Sequence, residues 1–159
     1  IYRYNASTKK WVNIKTIGNN STFTYRDSGL KPGTQYQYKV KAYKKINGVV
    51  YWGSASEAKN TATNPSAVSI TSSSRTSTAI RINWSKTTCD GYQIYRYNSS
   101  TKAYVKVATV TGSSVLTYKQ TGLKKNTTYK YKVRAFKKDA SGGYRYSSFS
   151  SVKSVTTKK

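Results

Sequence analysis

Histidine and methionine are absent from this chain, cysteine occurs once, proline twice, and only four of 159 residues are acidic. Each shortage closes off a class of chemistry. A serine or cysteine nucleophile ordinarily needs a histidine or lysine base steadied by a third group, and nothing in the sequence marks any of the plentiful serines for activation. The acids Asp27, Glu57, Asp90 and Asp139 are far apart along the chain, whereas hydrolysis by paired carboxylates needs two carboxyls about 5–9.5 Å apart. Metal sites want several Asp, Glu, His or Cys at close spacing, and no such cluster is legible. A glycine-rich phosphate loop is missing too. The sequence therefore predicts no catalytic residue, no metal and no cofactor. Cys89, standing alone beside Asp90 in a predicted loop, excludes an internal disulfide. No apolar run approaches the roughly 18 residues of a bilayer-spanning helix, and the front of the chain has no signal-like pattern. Ile1 is not a translation start, so the expectation is a piece of something longer.

What the chain does contain is positive charge and strand-forming residues. Twenty-nine Lys and Arg give a net charge of +25, a long-range, salt-dependent field that favours polyanions. Wall polymers, acidic polysaccharides, nucleic acid and anionic lipid all satisfy that sign. The cations are spread over every predicted strand and turn rather than gathered in a block, which also fits a solubilising coat. Val, Ile, Tyr and Thr dominate the ordered stretches, a mixture that favours strands over helices.

The chain is internally duplicated. Residues 1–45 and 94–138 align without a gap at an offset of 93, with 24 of 45 positions identical. A repeat of that length is a small domain rather than a solenoid turn. Strand signals recur every 8–12 residues between turn residues, the pattern of an all-β sandwich. In the second copy they fall at 67–70, 78–84, 92–97, 104–110, 116–118, 128–136 and 144–156. The first copy keeps only the later ones, at 1–4, 11–17, 22–25, 35–43 and 50–63, the last with a break near Gly53. Residues 64–66 form a linker short enough to limit the orientations of its neighbours.

The stretches GLKPGTQYQYKVKAY (29–43) and GLKKNTTYKYKVRAF (122–136) resemble fibronectin type III domains. So do Trp84 on a second strand, Tyr92 opening the third, Leu30 and Leu123 before a corner, the corner tyrosines Tyr36 and Tyr129, and Ser-rich last strands closing on Thr. The resemblance implies an all-β fold of two such Ig-like sandwiches in tandem. The first, at 1–63, lacks its two N-terminal strands, and the second, at 66–157, is complete. It also implies that Trp84, Tyr92, Leu30, Leu123, Tyr36 and Tyr129 are structural core residues. The Lys/Tyr-rich variant is similar to modules of Gram-positive surface and secreted proteins, which implies an extracellular location.

In the first copy the face bearing Tyr36, Tyr38, Val40 and Ala42 is expected to lack its facing strands. Leaving it wet would forfeit about 1.5–3 kcal/mol per large side chain. Strands of a longer parent protein, or a strand donated by another molecule, would cover it. On the opposite face period-two alternation predicts an open sheet of interleaved rings and cations: Tyr2, Tyr4, Lys39, Lys41 and Tyr43 in one copy, and Tyr95, Tyr97, Lys130, Lys132, Arg134 and Phe136 in the other. That face reads as cross-strand pairs stabilising a thin sheet, as a platform for sugars with anionic groups, or as a contact between copies.

Three functions follow from these readings. The first is a non-catalytic spacer of a larger bacterial secreted or surface protein, in contact with neighbouring domains. The others are an adhesive module for anionic glycan or wall polymer, and a self-assembling subunit completed by strand donation. Nucleic acid is not the expected partner.

Overall fold

The computed structural model describes residues 1–159, every regular element of which is a strand. The N-terminal region contains β1 (Tyr2–Asn5), β2 (Lys10–Asn13), β3 (Gln35–Lys39), β4 (Lys41–Ile46), β5 (Val49–Ala55) and β6 (Lys59–Ala62). Four of these form one antiparallel sheet in the order β2-β1-β3-β6, while β4 and β5 form a separate hairpin. Local chemistry sets the turns. Asn5 Oδ1 accepts the N–H groups of Ser7 and Thr8, and Asn47-Gly48, both at positive φ, make the tight turn that suits a twisted hairpin.

The C-terminal region contains β7 (Ile70–Arg75), β8 (Ile80–Trp84), β9 (Gly91–Asn98), β10 (Ala103–Thr111), β11 (Thr117–Gln120), β12 (Thr128–Lys138), β13 (Tyr144–Tyr146) and β14 (Lys153–Thr156). One sheet runs β10-β9-β12-β13, with β14 also paired to β12, and the second runs β11-β8-β7. Between them Val68, Ile80, Ile82, Trp84, Tyr92, Ile94, Leu123, Tyr131, Val133, Ala135 and Val155 close a single core. Period-two alternation explains this packing: β8 reads buried–exposed–buried at Ile80, Arg81 and Ile82, and β12 buries Tyr131, Val133 and Ala135 while Lys130, Lys132 and Arg134 face the other way.

Several strand expectations need correction, beginning with the one predicted at 11–17, which ends at Asn13. No strand forms at 22–25. In the C-terminal region the matching segment, β11, pairs with β8, and the N-terminal region has no such partner, so its extended backbone finds no ladder. The predicted strand at 67–70 starts only at Ile70, although Val68 is buried. The predicted continuous strand 35–43 is interrupted at Val40. The last strands break at 56–58 and 147–152 rather than near Gly53. Serine hydroxyls cause these last breaks: Ser56 Oγ accepts the Val40 N–H, and Ser150 and Ser147 Oγ accept those of Val133 and Ala135. Side chains replace carbonyls there, so the ladder lapses while the donors stay satisfied.

The two regions touch. Gln35 Nε2 donates to the Lys138 carbonyl at 2.9 Å. Gly33, at φ +59, lies so close to Thr88 that a Cβ would stand 1.9 Å from its carbonyl oxygen. Pro65, in the connecting segment, is buried.

Candidate interface of rings and cations

Strand register brings the predicted face together. Tyr95 stands opposite Lys132, and Gln93 opposite Arg134; Tyr97 stands opposite Tyr104 on the other side. The cations then lie on the rings of their own sheet. Lys132 Nζ is 4.3 Å from the Tyr104 ring centre and 3.9 Å from that of Phe149. The Arg134 guanidinium sits 3.9 Å from Tyr146, with Tyr95 and Phe149 also within reach. It donates from Nε to Gln93 Oε1 and from Nη2 to the Tyr95 oxygen, each at 2.9 Å. Lys130 Nζ, more exposed, is 5.8 Å from Tyr97. The rings also meet edge to face, Tyr95 with Phe149 at 5.0 Å and Tyr97 with Tyr104 at 5.3 Å. Burial and the neighbouring Tyr97 hydroxyl push the Tyr104 phenol up.

The N-terminal region repeats the scheme with tryptophan. Lys39 Nζ is 4.5 Å from Trp11 and Lys41 Nζ 5.5 Å from Trp52, while Tyr4 and Tyr43 pack on the same two indoles. Tyr2 is half-buried and pairs with Asn13 and Lys39. Phe136 is on the same side of the sheet as Gln93 and Tyr146 but is covered there. It is 7% exposed, packed on Gly91 and beneath Tyr144, because the close approach at Gly91 opens a slot that the ring fills. Phe149 belongs to the face but carries no alternation signal, lying in the irregular segment 147–152.

The predicted core residues occupy distinct places. Trp84 and Tyr92 pack together at 5.3 Å in the core, and burial, with Cys89 alongside, pushes the Tyr92 hydroxyl up to about 12. Leu123 is buried, while Leu30 is half-exposed. The corner tyrosines act identically: Tyr36 and Tyr129 accept the N–H of Lys31 and Lys124 at 2.9 and 3.0 Å.

A further cluster escaped the sequence reading. Asp27 Oδ2 accepts both Arg3 Nη1 at 2.7 Å and the Tyr38 hydroxyl at 2.8 Å. Burial, reinforced by Asp27, pushes the Tyr38 hydroxyl up to about 12. Only alignment of the repeats would have flagged it, since Asp27 corresponds to Gln120.

A pattern described as fibronectin type III domain matches residues 63–152. Exoglucanase B of Cellulomonas fimi is 34% identical over an alignment 154 positions long that covers 89% of this chain and 13% of that enzyme. Among solved structures, the FN1–FN3 domains of chicken CNTN1 align over 85% of this chain and 46% of theirs, at 27% identity and a TM-score of 0.51. A mutant FN3tt domain aligns over 61% of this chain and all of its own, at 26% identity and a TM-score of 0.47. No helix here is long and apolar enough to cross a membrane.

Proposed function

The chain belongs to the fibronectin type III family, and from that premise we propose that it is a non-catalytic spacer of a larger bacterial secreted or surface protein, two such units in tandem. One observation carries this reading. The cations of the ring face are engaged by the rings of their own sheet, Lys132 between Tyr104 and Phe149 and Arg134 on Tyr146. Rings already covered are poor platforms for a ligand, and each such contact adds about 0.5–1 kcal/mol to a small sheet. The match to 13% of an exoglucanase supports a module that accompanies other domains, and the Gly33–Thr88 contact supports a restricted junction between the two units. The same comparison supports an extracellular location.

Surface plasmon resonance against acidic polysaccharide and wall polymer, with salt varied, tests the reading. A spacer gives only salt-sensitive, non-saturating retention, and Lys132→Ala lowers stability without changing it. Saturable binding that Lys132→Ala abolishes in a fully folded protein would make the face an adhesive surface instead.

The self-assembly reading rests on a different observation: Val40 is 54% and Phe23 89% exposed on the inner face of the first unit. Under it a strand pair from a second copy covers this face. Light scattering over a concentration series in high salt would then show growth, because buried apolar area is not screened; a persistent monomer removes that reading.

A further inference from the structure

The two copies treat the same sheet edge differently. β5 (Val49–Ala55) pairs with β4 alone and is the last strand on its side. All seven of its residues are exposed, and no charged residue occurs from 46 to 56. Val49, Val50, Tyr51 and Trp52 are each 42–57% exposed. The counterpart of β5, β13, is three residues long and carries Arg145 at its centre, with Asp139 Oδ2 3.7 Å from the Arg145 Nε. Ser147 then ends β13, its hydroxyl accepting the Ala135 N–H, whereas Gly53, aligned with Ser147, lets β5 run on to Ala55. A short, charged edge resists further pairing, and a long, apolar, uncharged one invites it.

The edge stays open in a complete unit. In the C-terminal region the first strand, β7, lies beside β14, the counterpart of β6, and β13 remains at the end of its sheet. Strands covering the inner face of the N-terminal region would therefore leave β5 free. The turn decides which of its backbone groups are available. Asn47-Gly48 closes a two-residue hairpin with Ile46 opposite Val49, so those two exchange ladder bonds and the N–H and C=O of Val50 and Trp52 point outward.

Charge selects the occupant. Lys44 and Lys45 stand opposite Tyr51 and Val50, one on each face of the hairpin, and Lys41 lies over Trp52. None of the three has an acidic partner. A strand added to β5 lies about 10 Å from β4, two strand spacings, within the combined reach of a lysine and a glutamate side chain. A second copy of this chain, itself at +25, brings its own lysines to that place and is repelled. A polysaccharide supplies charge but no ladder of N–H and C=O groups.

We propose that the β5 edge docks an extended acidic peptide segment of another protein, which joins the hairpin as a third strand. Its carboxylates stand opposite Val50 and Tyr51, in reach of Lys45 and Lys44, and its apolar residues stand opposite Val49 and Trp52. The inference goes beyond the spacer reading and does not depend on it.

NMR of the whole 159-residue chain at about 0.15 M salt, titrated with the end-blocked peptide Thr-Val-Glu-Glu-Val-Thr, tests the proposal; the palindrome serves either strand direction. Saturating shifts are expected at residues 43–55, with slowed hydrogen exchange at the Val50 and Trp52 amides. Replacing both glutamates of the peptide by lysine, or methylating alternate backbone nitrogens, is expected to weaken binding about tenfold or more, the first for want of charge-assisted bonds and the second for want of a ladder. The pair Lys44→Gln and Lys45→Gln is expected to cause the same loss with the hairpin intact. Val50→Pro removes an outward N–H without touching the β4 ladder and is expected to abolish the shifts; should proline unseat the hairpin, the methylated peptide decides. A methylated or lysine peptide that binds as well as the parent overturns the proposal. So do shifts confined to the inner face at residues 22–27 and 36–42, a non-saturating response spread over the lysines, or self-association through β5 in the absence of peptide.

Discussion

Residues 35–43 and 128–136 are nearly the same strand in two surroundings. Tyr131, Val133 and Ala135 are fully buried, while Tyr38 is half-buried and Val40 and Ala42 are exposed. The hydrogen bonds nevertheless coincide. Val40 and Val133 each donate to a serine hydroxyl at 3.0 Å, and Thr63 and Thr157 each donate to a corner carbonyl at 2.7 Å. Local pattern thus fixes the backbone, and the facing sheet decides whether the pattern is repaid with burial. The second sheet, β7-β8-β11, is what the N-terminal region lacks.

That contrast can be broken where it is largest. Tyr131→Ala is expected to cost about 3–5 kcal/mol, the usual range for emptying a buried aromatic site, and Tyr38→Ala under about 2 kcal/mol because much of its ring is already wet. Trp84 reports on one region and Trp11 and Trp52 on the other, so tryptophan fluorescence during urea unfolding reads each separately. Equal losses at the two positions would mean that the N-terminal face is covered in solution.

A smaller test asks whether the corners are as alike as their geometry. Tyr36→Phe and Tyr129→Phe each remove one acceptor for a backbone N–H, a loss of about 0.5–1.5 kcal/mol. The two values should agree, since neither bond involves the facing sheet. A loss confined to Tyr129 would show that the first corner forms only when its face is covered.

Much of this was legible in the sequence because it repeats there. The duplication, the alternation on β8 and β12, and the corner tyrosines are all local patterns. Phe149 was not legible, since it reaches Lys132 and Arg134 from an irregular segment. Alternation gives the side of the sheet that Phe136 takes but not its burial, because it ignores the slot above Gly91, where Val110 O and the Phe136 ring crowd the missing Cβ. The strand at 22–25 failed for want of a partner, which no window of residues reveals. The Asp27–Arg3–Tyr38 cluster joins residues up to 35 positions apart, which no local window brings together.

The smallest expected difference is acid sensitivity. Asp90 precedes the aligned repeat and has no counterpart in the N-terminal region. It accepts from Lys137 Nζ at 2.6 Å and from the Lys138 N–H at 2.8 Å, tying the loop before β9 to the end of β12. Burial pushes its carboxyl up, but the Lys137 ammonium and the Lys138 amide outweigh burial and hold it below the usual carboxylate range. A carboxyl whose folded pKa is depressed contributes its full stability above the unfolded value of about 3.9 and loses it as pH falls through the folded value. The Trp84 transition should therefore weaken as the pH drops below about 4, by at most about 1 kcal/mol for a partly exposed pair. Asp90→Asn should flatten that dependence and leave the Trp11 and Trp52 signals unmoved. The slope that survives in D90N belongs to Asp139, whose carboxyl the Ser141 hydroxyl holds low against burial, helped by the Gly143 and Ser141 amides and the Arg145 charge. An unchanged Trp84 slope in D90N would mean that the Asp90–Lys137 bridge does not persist in water and that Asp139 carries the acid response alone.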